Sequence, residues 1–384
     1  MWPRDSTRGR SGADVPDAPD LAAVARAFAL PGEAASFEPY GSGHINDTWA
    51  VTLRGGAGRR VLLQRINTTV FHDPEGLMAN IARVTRHLAG KFAGRPDASR
   101  RTLTLIPTAG GAVFHRDAAG RVFRAYDFID GARSWDVLTS PRQAYEAAKA
   151  FGGFQRLLMD LPPPRLVETI PHFHDTPRRL SRFREVVAAD PRNRAREAAD
   201  EIAFVLSREE LAGSLASLLA SGVLAERVTH NDTKLNNVLL DDATGEGLCV
   251  IDLDTVMPGL LLHDFGDMVR TAANPVAEDE RDLSKVVANI PMFEALAKGY
   301  LEAMGVGLLP VERERLVLSG RLLTYEVGMR FLTDHLEGDV YFRIHREGHN
   351  LDRARAQFAL VRSLEAHEER LERVVERLAR NGAA

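Results

Sequence analysis

The period of the apolar residues changes once along this chain, near Asp130 and Gly131, and that change restricts the fold more than any single motif does. Upstream, apolar residues fall into the short segments SFEPYG, DTWAVTL, RRVLLQRI, LTLIPT, GAVFHRD and RVFRAYDFI, separated by turn chemistry such as RGGAGR and DAAG. Rich in β-branched and aromatic residues, they read as strands of an antiparallel sheet. One helix interrupts them over DPEGLMANIARVTRHLAG, with Asp73 as its cap, Pro74 in its first turn, and Leu77, Ile81, Val84 and Leu88 along one face. Downstream the pattern is helical near 140–159, 195–220, 281–303, 311–336 and 351–380, with an island of strand around 228–267. The expected class is α+β: a small N-terminal antiparallel β lobe with one helix over 21–130, then a larger, mostly helical lobe over 131–384. Residues 1–20, rich in Arg, Asp, Gly and Pro, are expected to be a disordered leader.

Composition removes several function classes. A net charge of -4 and a pI near 6.3, with dispersed basic residues, provide no field to draw nucleic acid or an anionic membrane. No stretch approaches the length of a membrane span, and the first 20 residues lack the apolar core of a secretory signal. The single cysteine, Cys249, lies in the apolar run GLCVIDL and reads as a buried small hydrophobe in a reducing, cytoplasmic setting. His and Cys nowhere show zinc spacing, so no transition metal is expected. Nothing indicates an obligate protein partner.

The island at 228–267 carries the chemistry, for it threads eight carboxylates and one lysine among runs of Val, Leu and Ile. His230 to Asn237, HNDTKLNN, matches H-x-D-x-x-x-x-N, a catalytic-loop pattern of phosphoryl transfer. In that pattern Asp232 orients the attacking hydroxyl as base and Asn237 supplies an oxygen to Mg²⁺. Past the turn material DDATGEG, Asp252 follows an apolar strand as a second metal ligand. Lys234 is one of only five lysines among 49 basic residues, and a compact ammonium there can contact the transferring phosphoryl group. Gly41, Ser42 and Gly43 lie between two expected strands, where a glycine-rich loop would cover nucleotide phosphates. The string DFG at Asp264 to Gly266 is too far downstream to be a metal-binding triplet; Asp264 and Asp267 are expected to form a capped helix start beneath the loop.

The segments GSGHIND, LLQRINTTVF, PHFHDTP, THNDTKLNN, VIDLDTVMPG, DFGD, GMRFLTDHLEGDVYF and HNLDRAR together resemble the N-acetylhexosamine 1-kinases, a branch of the aminoglycoside phosphotransferase and choline kinase group. The resemblance spans nearly all of 21–365. It implies a two-lobed protein-kinase-like fold and ATP-dependent phosphorylation of the anomeric hydroxyl of N-acetylglucosamine or N-acetylgalactosamine. It makes Asp232 the base, Asn237 and Asp252 the Mg²⁺ ligands, and Gly41 to His44 a loop above phosphates and sugar. Arg330 and Tyr341 match positions expected to touch the sugar. His172 and His174 of PHFHDTP could line the pocket, although Asp175, Thr176 and Pro177 also make a helix start. One departure stands out: the phosphate-gripping lysine of the third strand has no counterpart in VLLQRIN. Gln64 and Arg65 are offered instead, and as strand neighbours they face opposite sides. Asp127 and Phe128 are assigned to the nucleotide as well. A related small-molecule kinase with another acceptor, an inactive nucleotide-binding module and a structural or interaction protein remain as alternatives.

Overall fold

The structure, a computed structural model, describes residues 19–41, 45–55, 58–137, 139–274 and 276–381. The expected leader therefore lies outside the described residues, apart from its last two positions. Those residues divide into two compact units: one runs up to Ala132 and takes in Pro163–Ile170, and the other holds Arg133–Pro162 and everything from Pro171 onward.

The first unit contains α1 (Leu21–Arg26), β1 (Ala34–Pro39), β2 (Asp47–Leu53), β3 (Arg60–Ile66), α2 (Pro74–Phe92), β4 (Leu105–Ile106), β5 (His115–Arg116) and β6 (Val122–Asp127). Its sheet is antiparallel in the order β1-β2-β3-β6-β4, with β5 also on β6. Alternation decides the faces: Val51, Leu53, Val61, Leu63, Phe123 and Ala125 share one side and pack with Val24 and Phe28 of the N-terminal segment. The segments LTLIPT and GAVFHRD shrink to two-residue strands because both compete for one edge. β4 takes Ala125 and Tyr126 of β6, and β5 takes Val122 and Phe123. α2 starts as expected, with the Asp73 carboxylate accepting from the Gly76 N–H and Leu77, Ile81, Val84 and Leu88 buried. Residues 163–170 return to this unit, where the Asn80 amide exchanges two hydrogen bonds with the Val167 backbone at 2.9 and 3.1 Å.

After a two-residue strand, β7 (Ala132–Arg133), the second unit is mainly helical: α3 (Pro141–Leu158), α4 (Thr176–Ala189), α5 (Ala199–Leu206) and α6 (Glu209–Ala220). Then come β8 (Arg227–Thr229), β9 (Val238–Asp241), β10 (Gly247–Val250), β11 (Met257–Gly259) and α7 (Leu261–Ala272). The chain closes with α8 (Ile290–Met304), α9 (Pro310–Arg313), α10 (Leu316–Glu337), α11 (His349–Ala366) and α12 (Glu368–Asn381). α3 and α8 approach closely enough that a Cβ on Gly299 would sit 2.2 Å from the Tyr145 carbonyl oxygen. α10 is buried along most of its length and contributes Tyr325, Met329, Leu332 and Leu336 to a core shared with α4, α5 and α11.

Four sequence expectations change here. The helix over 195–220 breaks at Ser207 and Arg208, and the pattern over 351–380 breaks at His367. The helix anticipated from 281 starts at Ile290, because Asn289 caps it by accepting from the Met292 N–H; before it lies only a short turn of 3₁₀ helix. α4 was expected only as a helix start at 175–177 and not as one of the helical segments. It has just Leu180, Phe183 and Val186 as a buried stripe, too sparse to rise above its Arg content. Cys249 sits on β10 at 1% exposure, its thiol 3.4 Å from the Val250 carbonyl.

Candidate active site

β8 pairs antiparallel with β11, β9 with β10, and the loop His230–Lys234 runs between the two pairs. The loop is pinned from below by Asp264, which is fully buried in the first turn of α7. Its carboxylate accepts from the His230 N–H at 2.8 Å, the Asn231 N–H at 2.7 Å and the Gln155 side chain at 2.6 Å. Burial pushes the Asp264 carboxyl up, against those donors. The expectation that Asp264 caps the helix is corrected: Leu260 occupies the cap, and the carboxylate serves the loop.

Asn231 adopts a left-handed conformation, φ 64°, which costs a non-glycine residue about 1–3 kcal/mol and persists only where its surroundings insist on it. Its side-chain amide donates to the Thr255 carbonyl at 3.0 Å. The turn delivers Asp232 with its N–H donating to His230 Nδ1 at 3.3 Å, while His230 Nε2 donates to the Ile251 carbonyl at 2.9 Å. Asn237 closes the loop: its Nδ2 donates to the Asp232 carbonyl at 2.9 Å and to Asp232 Oδ2 at 3.3 Å.

Lys234 Nζ lies 3.2 Å from Asp232 Oδ2. Burial would raise the Asp232 carboxyl, but Lys234 and then His230 outweigh it and hold it below the ordinary value. Lys234 rises in turn, chiefly through Asp232, with Asp252 and Asp267 adding to the effect against burial. Asp252 is exposed and left-handed, φ 56°. Asp267, on α7, receives Arg270 on Oδ1 at 2.8 Å, and its buried Oδ2 has no hydrogen-bond partner among the described residues. The amide oxygen of Asn237 and the Asp252 carboxylate are hard oxygen donors, the chemistry Mg²⁺ takes beside phosphate and water oxygens. Among the described residues no group of three His, Cys, Asp or Glu gathers to hold a metal.

In the same unit Arg330 donates to the Tyr341 hydroxyl at 3.3 Å, and its guanidinium is 5.5 to 5.6 Å from the rings of Phe173, Tyr341 and Phe342. One helical turn earlier on α10 is Glu326, fully buried. It accepts from His174 Nδ1 at 2.9 Å and from the Thr176 hydroxyl at 2.5 Å, with Arg179 at 3.5 Å. Burial acts to raise the Glu326 carboxyl, yet His174, Arg179 and Arg330 hold it well below the carboxylate range. His263, 5.0 Å from His174, is pushed down to about 3 by burial and by that neighbour. Of the two histidines in PHFHDTP, His174 is tucked in, whereas His172 is 52% exposed, left-handed and 3.3 Å from Asp175. Asp175 caps α4 as the helix-start reading anticipated.

Tyr341 is placed by Asp334, whose buried carboxylate accepts from the N–H groups of Val340, Tyr341 and Phe342 at 2.7 to 2.9 Å. Sequence reasoning passed over Asp334, Glu326 and Gln155. The first two did carry a signal, acidic residues set in the apolar run of α10.

Within the first unit, Gln64 is bracketed on its own face of the sheet: it donates to Thr48 and accepts from the buried Arg124, both at 2.9 Å. Arg65, on the opposite face, pairs with Asp47 at 2.5 Å. Asp127 meets Arg59 at 3.3 Å, and the Phe128 ring lies between Arg60, 3.8 Å from its centroid, and Tyr40, edge-on at 5.3 Å. Gly41 has φ 81°, a conformation glycine supplies freely. Ser42, Gly43 and His44 lie outside the described residues. No described helix is long and apolar enough to cross a membrane.

Residues 36–301 match the family model described as APH, phosphotransferase enzyme family. The fold is likewise that of solved structures. An aminoglycoside phosphotransferase from Alicyclobacillus acidocaldarius aligns over 99% of both chains at 13% identity, TM-score 0.57. A microcompartment-associated aminopropanol kinase aligns over 92% of this chain and 98% of its own, at 14% identity and TM-score 0.58. A spectinomycin phosphotransferase in complex with ADP and spectinomycin covers 91% and 97%, at 13% identity and TM-score 0.55. At such identities the likeness is one of fold, a mixed α+β architecture of the protein-kinase-like type.

Proposed function

Because the chain belongs to the APH phosphotransferase enzyme family, we propose that it transfers the γ-phosphoryl group of ATP to the anomeric hydroxyl of an N-acetylhexosamine, giving the sugar 1-phosphate. Asp232 is the base in this reading. Held ionised by Lys234, it is a weak base, and the anomeric hydroxyl, more acidic than the others of the ring, is the one such a carboxylate serves best. Lys234, 3.2 Å from Asp232, is the cation that this reading sets against the charge on the phosphoryl oxygens. Asn237 and Asp252 are the residues that would hold Mg²⁺, which supplies charge neutralisation to the nucleotide phosphates. The ADP in the related spectinomycin phosphotransferase supports a nucleotide donor here, with Gly41, Ser42, Gly43, Gln64, Arg65, Asp127 and Phe128 as its candidate contacts. A reduced lone thiol fits a cytoplasmic enzyme.

The observation that carries the acceptor class is the position of Arg330. An acceptor bearing an ammonium group would call for free carboxylates or an open aromatic cage. Here the three rings already surround the protein's own guanidinium, and Glu326 is saturated by His174, Thr176 and Arg179. A neutral polyol that accepts hydrogen bonds suits this surface, with Arg330, Tyr341 and His172 as its candidate contacts; the resemblance adds His44.

Phosphorus NMR of the product from ATP and N-acetylglucosamine tests the proposal. The expected product carries phosphate on C1, the 1-O-methyl glycoside is not phosphorylated, and the 6-deoxy sugar still is. Phosphate on O6, turnover of the methyl glycoside, or faster turnover of an amino alcohol would overturn it.

A further inference from the structure

The peptide unit between Asn231 and Asp232 is held at both ends by histidines. Its N–H donates to His230 Nδ1, and its carbonyl oxygen accepts from His174 Nε2 at 2.9 Å. His230 belongs to the loop itself, but His174 comes from the segment leading into α4. His174 is in turn held by Glu326 of α10, which lies four residues before Arg330. Both nitrogens of the His174 ring are engaged, Nε2 by the Asn231 carbonyl and Nδ1 by the Glu326 carboxylate. The Thr176 hydroxyl fixes the second Glu326 oxygen, so the carboxylate has little freedom to turn.

This bridge bears on a strained residue. Asn231 is left-handed, a conformation that persists only while its surroundings hold it. Rotation of the peptide that follows it would turn the Asp232 backbone and carry its side chain out of position. Asp264 and Thr255 hold the N–H and side chain of Asn231, and His174 holds its carbonyl.

We propose that Glu326 is a positioning residue: through His174 it locks the Asn231–Asp232 peptide and so sets the Asp232 carboxylate for proton transfer, from the same turn of α10 that presents Arg330 to the acceptor. The inference rests on the reading of Asp232 as base. It separates shape from charge. Glu326→Gln keeps the bridge, because the amide can donate to His174 Nδ1 and still accept from Thr176, whereas Glu326→Leu and His174→Phe abolish it at similar volume.

Two readouts on the full chain test it: amide hydrogen exchange across 228–238, which needs no substrate, and steady-state kinetics. For His174→Phe and Glu326→Leu, exchange at the loop should quicken by about tenfold or more. Their kcat should fall about tenfold to a hundredfold, with KM for the nucleotide unchanged within about twofold. Glu326→Gln should stay within about threefold of wild type in both readouts. Unchanged loop exchange in the two disruptive variants, a loss confined to KM for the acceptor, or a Gln variant as impaired as the Leu variant would each overturn the proposal. If one disruptive variant does not fold, the other carries the comparison. Absence of wild-type turnover with any N-acetylhexosamine would sink the proposed function alone, and the exchange comparison would still decide whether Glu326 holds the loop.

Discussion

Burial pushes the Asp232 carboxyl toward its neutral form, and Lys234, 3.2 Å away, pushes back harder. Because its folded value lies below 3.8, this group contributes stability that is present above pH 3.8 and lost as pH falls further. Lys234→Met should therefore move the acid limb of the kcat/KM profile to higher pH, a shift read directly from the pH dependence of turnover. Asp232→Asn should leave the circular dichroism spectrum intact and lower kcat by about 10² to 10⁴ under conditions where chemistry limits the rate. Retention of more than about a tenth of wild-type kcat would assign the base elsewhere. Asp232, Lys234 and Asn237 were legible in the sequence because one short loop must carry them at fixed spacing. Glu326 was not, since its partners His174 and Thr176 stand 152 and 150 residues away and only folding brings them together.

Among the elements, the connection between α10 and α11 is organised by one side chain. Asp334 gathers three successive N–H groups, and Asn350 adds a fourth donor at 2.8 Å. Asp334→Ala should release Tyr341 and raise KM for the acceptor substrate by about tenfold or more, while KM for the nucleotide stays within about twofold. An equal rise in both would mean that the variant had disturbed more than this segment. α3 and α8 make a different demand. Since a Cβ on Gly299 would overlap the Tyr145 carbonyl, Gly299→Ala should destabilise the protein by about 1–3 kcal/mol, seen as a lower urea midpoint at unchanged slope. Capping chemistry made the start of α2 readable to the residue, with Asp73 and Pro74 in place. Edge competition on β6 has no local signature, and the sparse stripe of α4 left only its start at Asp175 readable.

At the scale of the whole molecule the prediction concerns linkage. A nucleotide site completed by metal should stabilise the fold by mass action: Mg·ATP at about a hundred times its Kd adds roughly 2.7 kcal/mol, visible as a higher Tm. With two protein oxygens in the donor set, Mg²⁺ alone should bind weakly. Calorimetry showing tight Mg²⁺ binding without nucleotide would count against Asn237 and Asp252 as its ligands. Family membership spans 36–301, and the loop residues that suggested it stand close together in sequence, whereas Arg330 of α10 meets Phe173 only through folding. The lone thiol gives this molecule a built-in clock. Cys249 is shut in on β10, two residues before Ile251, whose carbonyl accepts the His230 hydrogen bond, and a thiol reagent can reach it only when that hairpin opens. Each molecule accepts a single label. With reagent in excess, the labelling rate becomes the opening rate of the strand beneath the catalytic loop, measured in the intact protein without a single mutation.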